Sequence, residues 1–251
     1  MDDINLYRYF LKDSVRKTID FRATDQNRGV PVPPLEEGVD QQLPRIRLPD
    51  RKSWGPDLKE TNLVNAIGNR RSRRNYSDEY LKVEELAFLL WATQGQRSPG
   101  KKVPHFRTVP SAGARHSFET YLFIYRVEKV APGLYRYLPL SNELVLVYAA
   151  DDQCKNKLSQ ATLGQGFIAN GAVVFVWTTV PYRMEWRYLQ AAHRVILLDA
   201  GHVCQNLYLA CEVINAGTCA IAAYDQEAMD ELIQVDGKDQ FTIYLAPVGK
   251  Y

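Results

Sequence analysis

Residues Arg194–Ile214 constrain the fold of this chain more than any other stretch. They predict a helix of about six turns at 3.6 residues per turn. Val195, Ile196, Leu197, Leu198, Ala200, Val203, Cys204, Leu207, Leu209, Ala210, Val213 and Ile214 put apolar or small side chains on almost every side of it. A helix apolar nearly all round belongs in the centre of a domain or against another subunit. The longest unbroken apolar runs, around Val195–Leu198 and Ala172–Trp177, are much too short to cross a membrane. The helix therefore needs a protein core around it, and 251 residues are enough to build one.

The remaining patterning supplies that core. Asn62–Asn69 predicts a helix running into a cluster of arginines. Val83–Gln94 places Val83, Leu86, Ala87, Leu90 and Trp91 on one helical face. Phe118–Arg126, Gly133–Leu138 and Glu143–Tyr148 are short aromatic and β-branched runs. Turn residues at Ala131-Pro132-Gly133 and Ser141-Asn142 separate them, which predicts an antiparallel meander. Asp151–Ile168 reads as helix and Ala172–Thr178 as a strand buried on both faces. Gly217 stands where a residue ending the long helix would, and Thr218–Tyr224 follows as a short strand. Asp225 is an expected N-cap for a helix over Gln226–Ile233, and Phe241–Val248 is a closing strand. No internal repeat and no linker follow Asn62, so residues 61–251 read as one α+β domain.

Residues 1–60 differ in character. Tyr7–Thr18 reads as a short helix, but Phe21–Pro49 carries Pro31, Pro33, Pro34, Pro44 and Pro49 among scattered charges. Proline removes backbone donors, so this is expected to be an extended arm that wraps the domain or embraces a partner subunit. Met1–Asp20 lacks the apolar stretch and small-residue cleavage site of a signal peptide. Cys154, Cys204, Cys211 and Cys219 form no CxxC pair and read as reduced thiols, which points to the cytoplasm. Lys and Arg number 31 against 29 Asp and Glu, a net charge of +2, which argues against a nucleic-acid partner.

Four local features could carry chemistry, and each has a plain alternative. Arg70-Arg71-Ser72-Arg73-Arg74 offers planar donor forks suited to phosphate, yet a charge run is often a solvated face. Pro110-Ser111-Ala112-Gly113-Ala114 lets backbone approach a flat ligand closely, or is simply a loop. Asn215–Tyr224 presents backbone amides beside small side chains, or is tight core packing. Lys250 can reach an anion as a point charge, or belongs to a frayed tail.

Taken together and in this order, these features resemble the FMN-dependent nitroreductase superfamily, and most closely its SagB/ThcOx-type dehydrogenase branch. The phrases that carry the likeness are "RRSRR", "EELAFLLWATQG", "PSAGARHSFETYLFIYRVEKVAPGLYRY", "LLDAGHVCQNLYLA", "GTCAIAAYD" and "LAPVGK", from Arg70 to Lys250. The resemblance implies a three-layer α/β/α sandwich with a mainly antiparallel sheet and a long central helix, built as an intertwined homodimer with FMN at the interface. It implies that Arg70 and Ser72 hold the phosphate and ribityl end of FMN, that Arg71 adds contacts, and that Lys250 touches the phosphate. Arg74 would lie at the N1/O2 edge of the ring, where a cation favours the reduced flavin. Pro110, Ser111, Ala112, Gly113 and Ala114 would lie against the partner's flavin. The amides of Ala222 and Ala223 would face N5 and O4, with Ala222 at the reacting position.

Arg187-Tyr188 matches a Lys-Tyr pair that peptide-azoline dehydrogenases of this branch use in proton removal. Arginine stays protonated and makes a poor base, so Tyr188 is left as the catalytic candidate beside a plain role lining the substrate pocket. His202 reads as a core or interface histidine, His116 as a contact of the flavin or its ribityl chain through the loop, and His105 and His193 as surface. No histidine has metal-ligand spacing, so no metal is expected. The resemblance implies hydride transfer through flavin N5 from NAD(P)H or another small donor to an organic acceptor such as a nitroaromatic or quinone. The alternatives are oxidation of azoline rings in a modified peptide, modification of the flavin itself, and a flavin-binding protein without turnover. Substrate choice is expected to rest on Arg97–Arg107 and Tyr182–His193.

Overall fold

A computed structural model describes residues 3–55, 58, 61–97 and 106–251. Its helices are α1 (Asp3–Phe10), α2 (Leu63–Asn69), α3 (Val83–Gln94), α4 (Cys154–Ala161), α5 (Tyr182–Tyr188), α6 (Ala192–Val213) and α7 (Gln226–Leu232). Its strands are β1 (Arg45–Arg47), β2 (Phe118–Ile124), β3 (Gly133–Leu138), β4 (Glu143–Ala149), β5 (Val173–Thr179), β6 (Ala216–Thr218) and β7 (Phe241–Lys250). They form one seven-stranded sheet in the order β1-β4-β3-β2-β5-β7-β6, with every neighbouring pair antiparallel. The meander β2-β3-β4 is as its turn residues predict.

The central strands show why the fold has three layers. Successive side chains of a strand point to opposite faces. Phe175 and Trp177 of β5 pack into a core shared with Leu86 and Leu90 of α3 and Val203 and Leu207 of α6. Val174 and Val176 pack into a second core with Leu158 of α4 and Met229 of α7. Each face of the sheet is therefore covered, which accounts for the unbroken apolar run of β5. Helix α6 is buried along Ile196, Ala200, Val203, Cys204 and Leu207, but Leu197 and Leu198 stay 46% and 52% exposed. The all-round apolar pattern thus buries one side in this chain and leaves another uncovered. Among the described residues no helix is long and apolar enough to cross a membrane.

Local chemistry sets the element ends. Asn62 caps α2 by accepting from the Asn65 amide at 2.9 Å, and Asp225 caps α7 by accepting from Ala228 at 3.0 Å. Glu85 of α3 turns back to accept from the Lys82 amide at 2.9 Å. Four expected boundaries shift. Helix α4 stops at Ala161, because Leu163 and Gly164 adopt left-handed backbone with φ of 56° and 75°. The long helix ends through Asn215 (φ 51°), whereas Gly217 lies inside β6. Gly217 serves close approach: a Cβ there would meet the Arg73 side chain at 2.5 Å. The strand expected over Thr218–Tyr224 is confined to Ala216–Thr218, and only Ile221 bridges back to Leu245. Tyr7–Thr18 divides into the end of α1 and a separate 3-10 turn over Asp13–Thr18.

The arm lies on its own chain from Leu35 to β1, the first of the two placements expected of it. Its β1 pairs with β4 and completes the sheet edge. Before that, Arg107 donates to the Leu35 carbonyl at 3.0 Å and Arg136 to the Glu37 carbonyl at 2.8 Å. Arg183 bonds the Glu37 carboxylate at 2.9 Å and also pairs with Glu119, which Arg136 meets from the other side at 3.0 Å. Glu119, Arg136 and Arg183 are all buried. Burial alone would raise the Glu119 carboxyl, but Arg136 and Arg183 outweigh it and hold it below the usual glutamate range.

Candidate functional site

The arginine cluster leaves α2 as extended chain alongside β6. Ser72 bridges Thr218 in parallel and the Arg73 amide donates to the Thr218 carbonyl at 3.0 Å. Alternate side chains consequently face opposite ways. On one side the Ser72 hydroxyl lies 2.9 Å from that of Tyr208, and the Arg70 guanidinium stands 5.2 Å over the Tyr208 ring. On the other, Arg73 covers Gly217 and stacks 3.7 Å over the Tyr251 ring. Arg74 stands 5.8 Å over Phe167, and Arg71 is exposed. Among the described residues no carboxylate lies within 4 Å of any of these four arginines.

Tyr208 is the residue that sequence reasoning missed. Its hydroxyl also accepts from the Ala220 amide at 2.8 Å, so one side chain of α6 ties Arg70, Ser72 and the start of the Ala220–Tyr224 segment together. The only signal was a phenol on an otherwise apolar helix, and nothing local links it to Arg70. Beyond it, Ala222 and Ala223 are exposed and their amides have no backbone acceptor among the described residues. The Ala223 carbonyl accepts from Gln165 at 2.9 Å. The turn that holds Phe167 against Arg74 therefore also holds this segment.

The Pro110–Ala114 loop sits at the other end of α6. Asp199 is buried and accepts from the Ala112 amide at 3.2 Å. Burial raises its carboxyl above the usual aspartate range, against the opposing bonds from Ser111 and Ala112. The chain then passes through left-handed backbone at Gly113 (φ 58°), Ala114 (φ 53°) and His116 (φ 49°). Non-glycine residues held there mark a strained segment that its surroundings enforce. Gly113 is required by contact as well as by φ: a Cβ would meet the Tyr188 hydroxyl at 2.5 Å and Arg187 Nε at 2.9 Å. Nine residues separate Asp199 from Tyr208, about 14 Å along a helix. One chain therefore does not bring the Pro110–Ala114 loop and Tyr188 to the Arg70–Arg74 cluster.

Lys250 is not a frayed tail. It ends β7, is 8% exposed, and donates to Glu85 Oε1 at 2.6 Å and to the Ile214 carbonyl at the end of α6. Two of the three N–H groups of the ammonium are thereby used within the chain. Of the histidines, His193 lies at the surface as expected, and His202 lies outside the core of this chain. His202 is exposed on α6, with its ring 3.9 Å from Asp199. His116 is buried, and burial with the charges of Arg107 and Arg115 depresses it to about 3, so it stays neutral. His193 is half exposed and meets Glu185 at 2.7 Å, while His105 lies outside the described residues, as does most of Arg97–Arg107.

The surroundings of Arg70 fit a bound phosphate-bearing cofactor. Three exposed or half-exposed arginines without carboxylate partners, a hydroxyl, and unpaired amides at Ala222 and Ala223 form a donor set with no acceptor of its own. Such a set attracts an anion.

Comparison with known proteins agrees with this geometry. The profile described as "Nitroreductase family" matches residues 67–250. A candidate nitroreductase of Methanocaldococcus jannaschii is 30% identical over 195 residues, covering 78% of this chain and 94% of that protein. The crystal structure of a candidate nitroreductase from Ralstonia eutropha superposes with a TM-score of 0.67 at 25% identity, covering 84% of this chain and 91% of that one. One from Anabaena variabilis gives 0.66 at 23% over 84% of this chain, which spans only 42% of that longer protein. The Escherichia coli microcin synthetase McbBCD complex shares the fold with a TM-score of 0.58 at 20% identity, over 78% of this chain and 76% of that one.

Proposed function

The chain belongs to the nitroreductase family and is an oxidoreductase, and from that premise we propose that it is an FMN-dependent enzyme. The reading is that it moves a hydride from NAD(P)H or another small donor to an organic acceptor such as a nitroaromatic or quinone. The observation that carries it is the set of Arg70, Ser72 and Arg74, whose arginines have no carboxylate partner among the described residues, tied through Tyr208 and the Gln165–Phe167 turn to the segment that carries the Ala222 and Ala223 amides. Arg70, steadied on Tyr208, and Ser72 would hold the phosphate and ribityl end. Arg74 would place positive charge at the ring edge. The amides of Ala222 and Ala223 would orient the reacting side of the ring. When bound, FMN supplies the group that takes up and hands on the hydride. The protein's share is positioning and fixed charge, which needs no dedicated acid or base.

The enzyme is read as a homodimer. Within one chain the Pro110–Ala114 loop and the arginine cluster lie at opposite ends of α6, so a second copy is what would lay the loop over the site. Uncovered apolar faces support this reading: Leu63, Val64 and Ile67 on α2, and Leu197 and Leu198 on α6, are all exposed. The four cysteines are free and buried, which suits a cytoplasmic setting.

A peptide-azoline dehydrogenase is the second reading. It is favoured by the placement of the Tyr188 hydroxyl against Gly113, in the loop that would face the flavin. The absorbance spectrum of the purified protein, repeated after anaerobic addition of NADPH and NADH, separates the cases. Yellow protein bleached by either donor supports the first reading. Yellow protein that neither bleaches favours the dehydrogenase or a flavin binder without turnover. Colourless protein that cannot be reconstituted with FMN overturns both.

A further inference from the structure

We propose that Arg115 and Arg187, with the Tyr188 hydroxyl between them, form a clamp for a carboxylate, so that the small molecule bound beside the Pro110–Ala114 loop is an organic acid. This rests on reading that loop as a wall of the substrate pocket, and names the class of molecule the pocket takes.

Three polar ends converge on Gly113. Arg115 Nε donates to the Gly113 carbonyl at 3.2 Å. The space where a Cβ of residue 113 would stand is 2.5 Å from the Tyr188 hydroxyl and 2.9 Å from Arg187 Nε. Each guanidinium lies over an aromatic ring, Arg115 at 5.3 Å from Trp186 and Arg187 at 5.6 Å from Tyr188. Those contacts fix the planes of the forks and leave their terminal N–H groups without a protein acceptor among the described residues.

The charge is not balanced locally. Among the described residues no carboxylate lies within 4 Å of Arg115 or Arg187. The nearby acids are engaged elsewhere: Glu185 with His193 at 2.7 Å, Asp199 with the Ala112 amide at 3.2 Å, and Asp13 with Arg16 at 2.7 Å. Burial and the charge of Arg187 both press Arg115 toward its neutral form. Two half-buried like charges held together in this way are relieved by an anion between them.

The remaining donors favour a carboxylate over a phosphate. Four amides here are already used: Ala112 to Asp199, Ala114 to the Ser111 carbonyl, Arg115 to the Ala112 carbonyl and His116 to the Ser111 hydroxyl. Only those of Ser111 and Gly113 are left in the loop, few donors for the further oxygens of a phosphate. A planar two-oxygen anion matches a guanidinium fork, and the aromatic faces behind it suit an apolar body.

Calorimetric titration of the full chain, as isolated and again after loading with FMN, tests the clamp with phenylacetate, phenylacetamide and inorganic phosphate. Wild type is expected to bind phenylacetate at least about tenfold more tightly than phenylacetamide, as hydrogen bonds to charged groups warrant. That preference should fall at least severalfold in Arg115→Gln and in Arg187→Gln, each checked for an unchanged circular dichroism spectrum, and should weaken with added salt. Equal affinity for acid and amide in wild type, tighter binding of phosphate than of phenylacetate, or an unchanged preference in both variants overturns the proposal. The heat signal does not need the flavin, so failure of FMN to bind would sink the flavin reading and leave the clamp to be judged by its own result.

Discussion

Removing the Lys250 ammonium tests whether the terminal lysine is structural or touches the cofactor. Lys250 Nζ lies 2.6 Å from Glu85 Oε1, with side chains 10% and 6% exposed, and also donates to the Ile214 carbonyl. Water does not reach the pair well enough to replace either partner. Lys250→Met therefore leaves a buried carboxylate without its cation and a helix-end carbonyl without its donor, a loss of about 3–5 kcal/mol. At roughly 2–4 °C per kcal/mol for a domain of this size, the melting temperature should fall by about 6–20 °C. The double variant Lys250→Met with Glu85→Gln removes both charges and keeps an oxygen for the Lys82 amide. It should recover most of the loss and return to within about 2 kcal/mol of wild type. Urea and thermal unfolding of the three proteins supply the numbers. A cost below about 1 kcal/mol, or a double variant as unstable as the single one, would refute the buried-pair account. Measured below its own transition, Lys250→Met should retain as much FMN as wild type; a selective loss of flavin would return Lys250 to the phosphate site.

Arg70→Ala removes the fork held over Tyr208 and should weaken FMN retention by about 1.5–3 kcal/mol, read as bound flavin per chain after dialysis. Equal content in variant and wild type would take Arg70 out of the site. His116 is depressed from 6.5 to about 3, so the unfolded chain takes up a proton that the folded chain refuses. Stability should fall as pH drops from about 6.5, by at most about 1.4 kcal/mol per unit, and His116→Asn, which tolerates the left-handed backbone, should flatten that slope. Glu119 is held below its ordinary value of 4.5, so its contribution is complete above that pH and is lost on further acidification; Glu119→Gln should flatten the urea midpoint only in that lower window. Gly113→Ala must carry a side chain at φ 58° into the Tyr188 hydroxyl and should cost about 1–2 kcal/mol of thermal stability, whereas a neutral substitution would mean the loop moves freely.

Local pattern and long-range pairing divide the account of this protein. Periodicity marked Val83–Gln94, turn residues between apolar runs marked the meander, and a long apolar stretch nearly located α6, because each signal lies within a few neighbouring residues. Capping chemistry placed Asp225 for the same local reason. Likeness of motif in order along the chain carried the family. The four arginines were visible as a charge run, but their partners were not. Tyr208 lies 136 residues from Ser72, and Glu85 lies 165 residues from Lys250. Whether an arginine or lysine meets a ring, a buried acid or open solvent depends on which strands and helices are neighbours. Only the fold decides that, and it leaves Arg70 free for an anion, spends Lys250 on Glu85, and sets Arg115 beside Arg187. The proline-rich arm shows the same limit: closely spaced prolines disfavour a helix interior by local chemistry, whereas the arm's place against Arg107, Arg136 and Arg183 comes from carbonyls and a carboxylate meeting buried cations from distant parts of the chain.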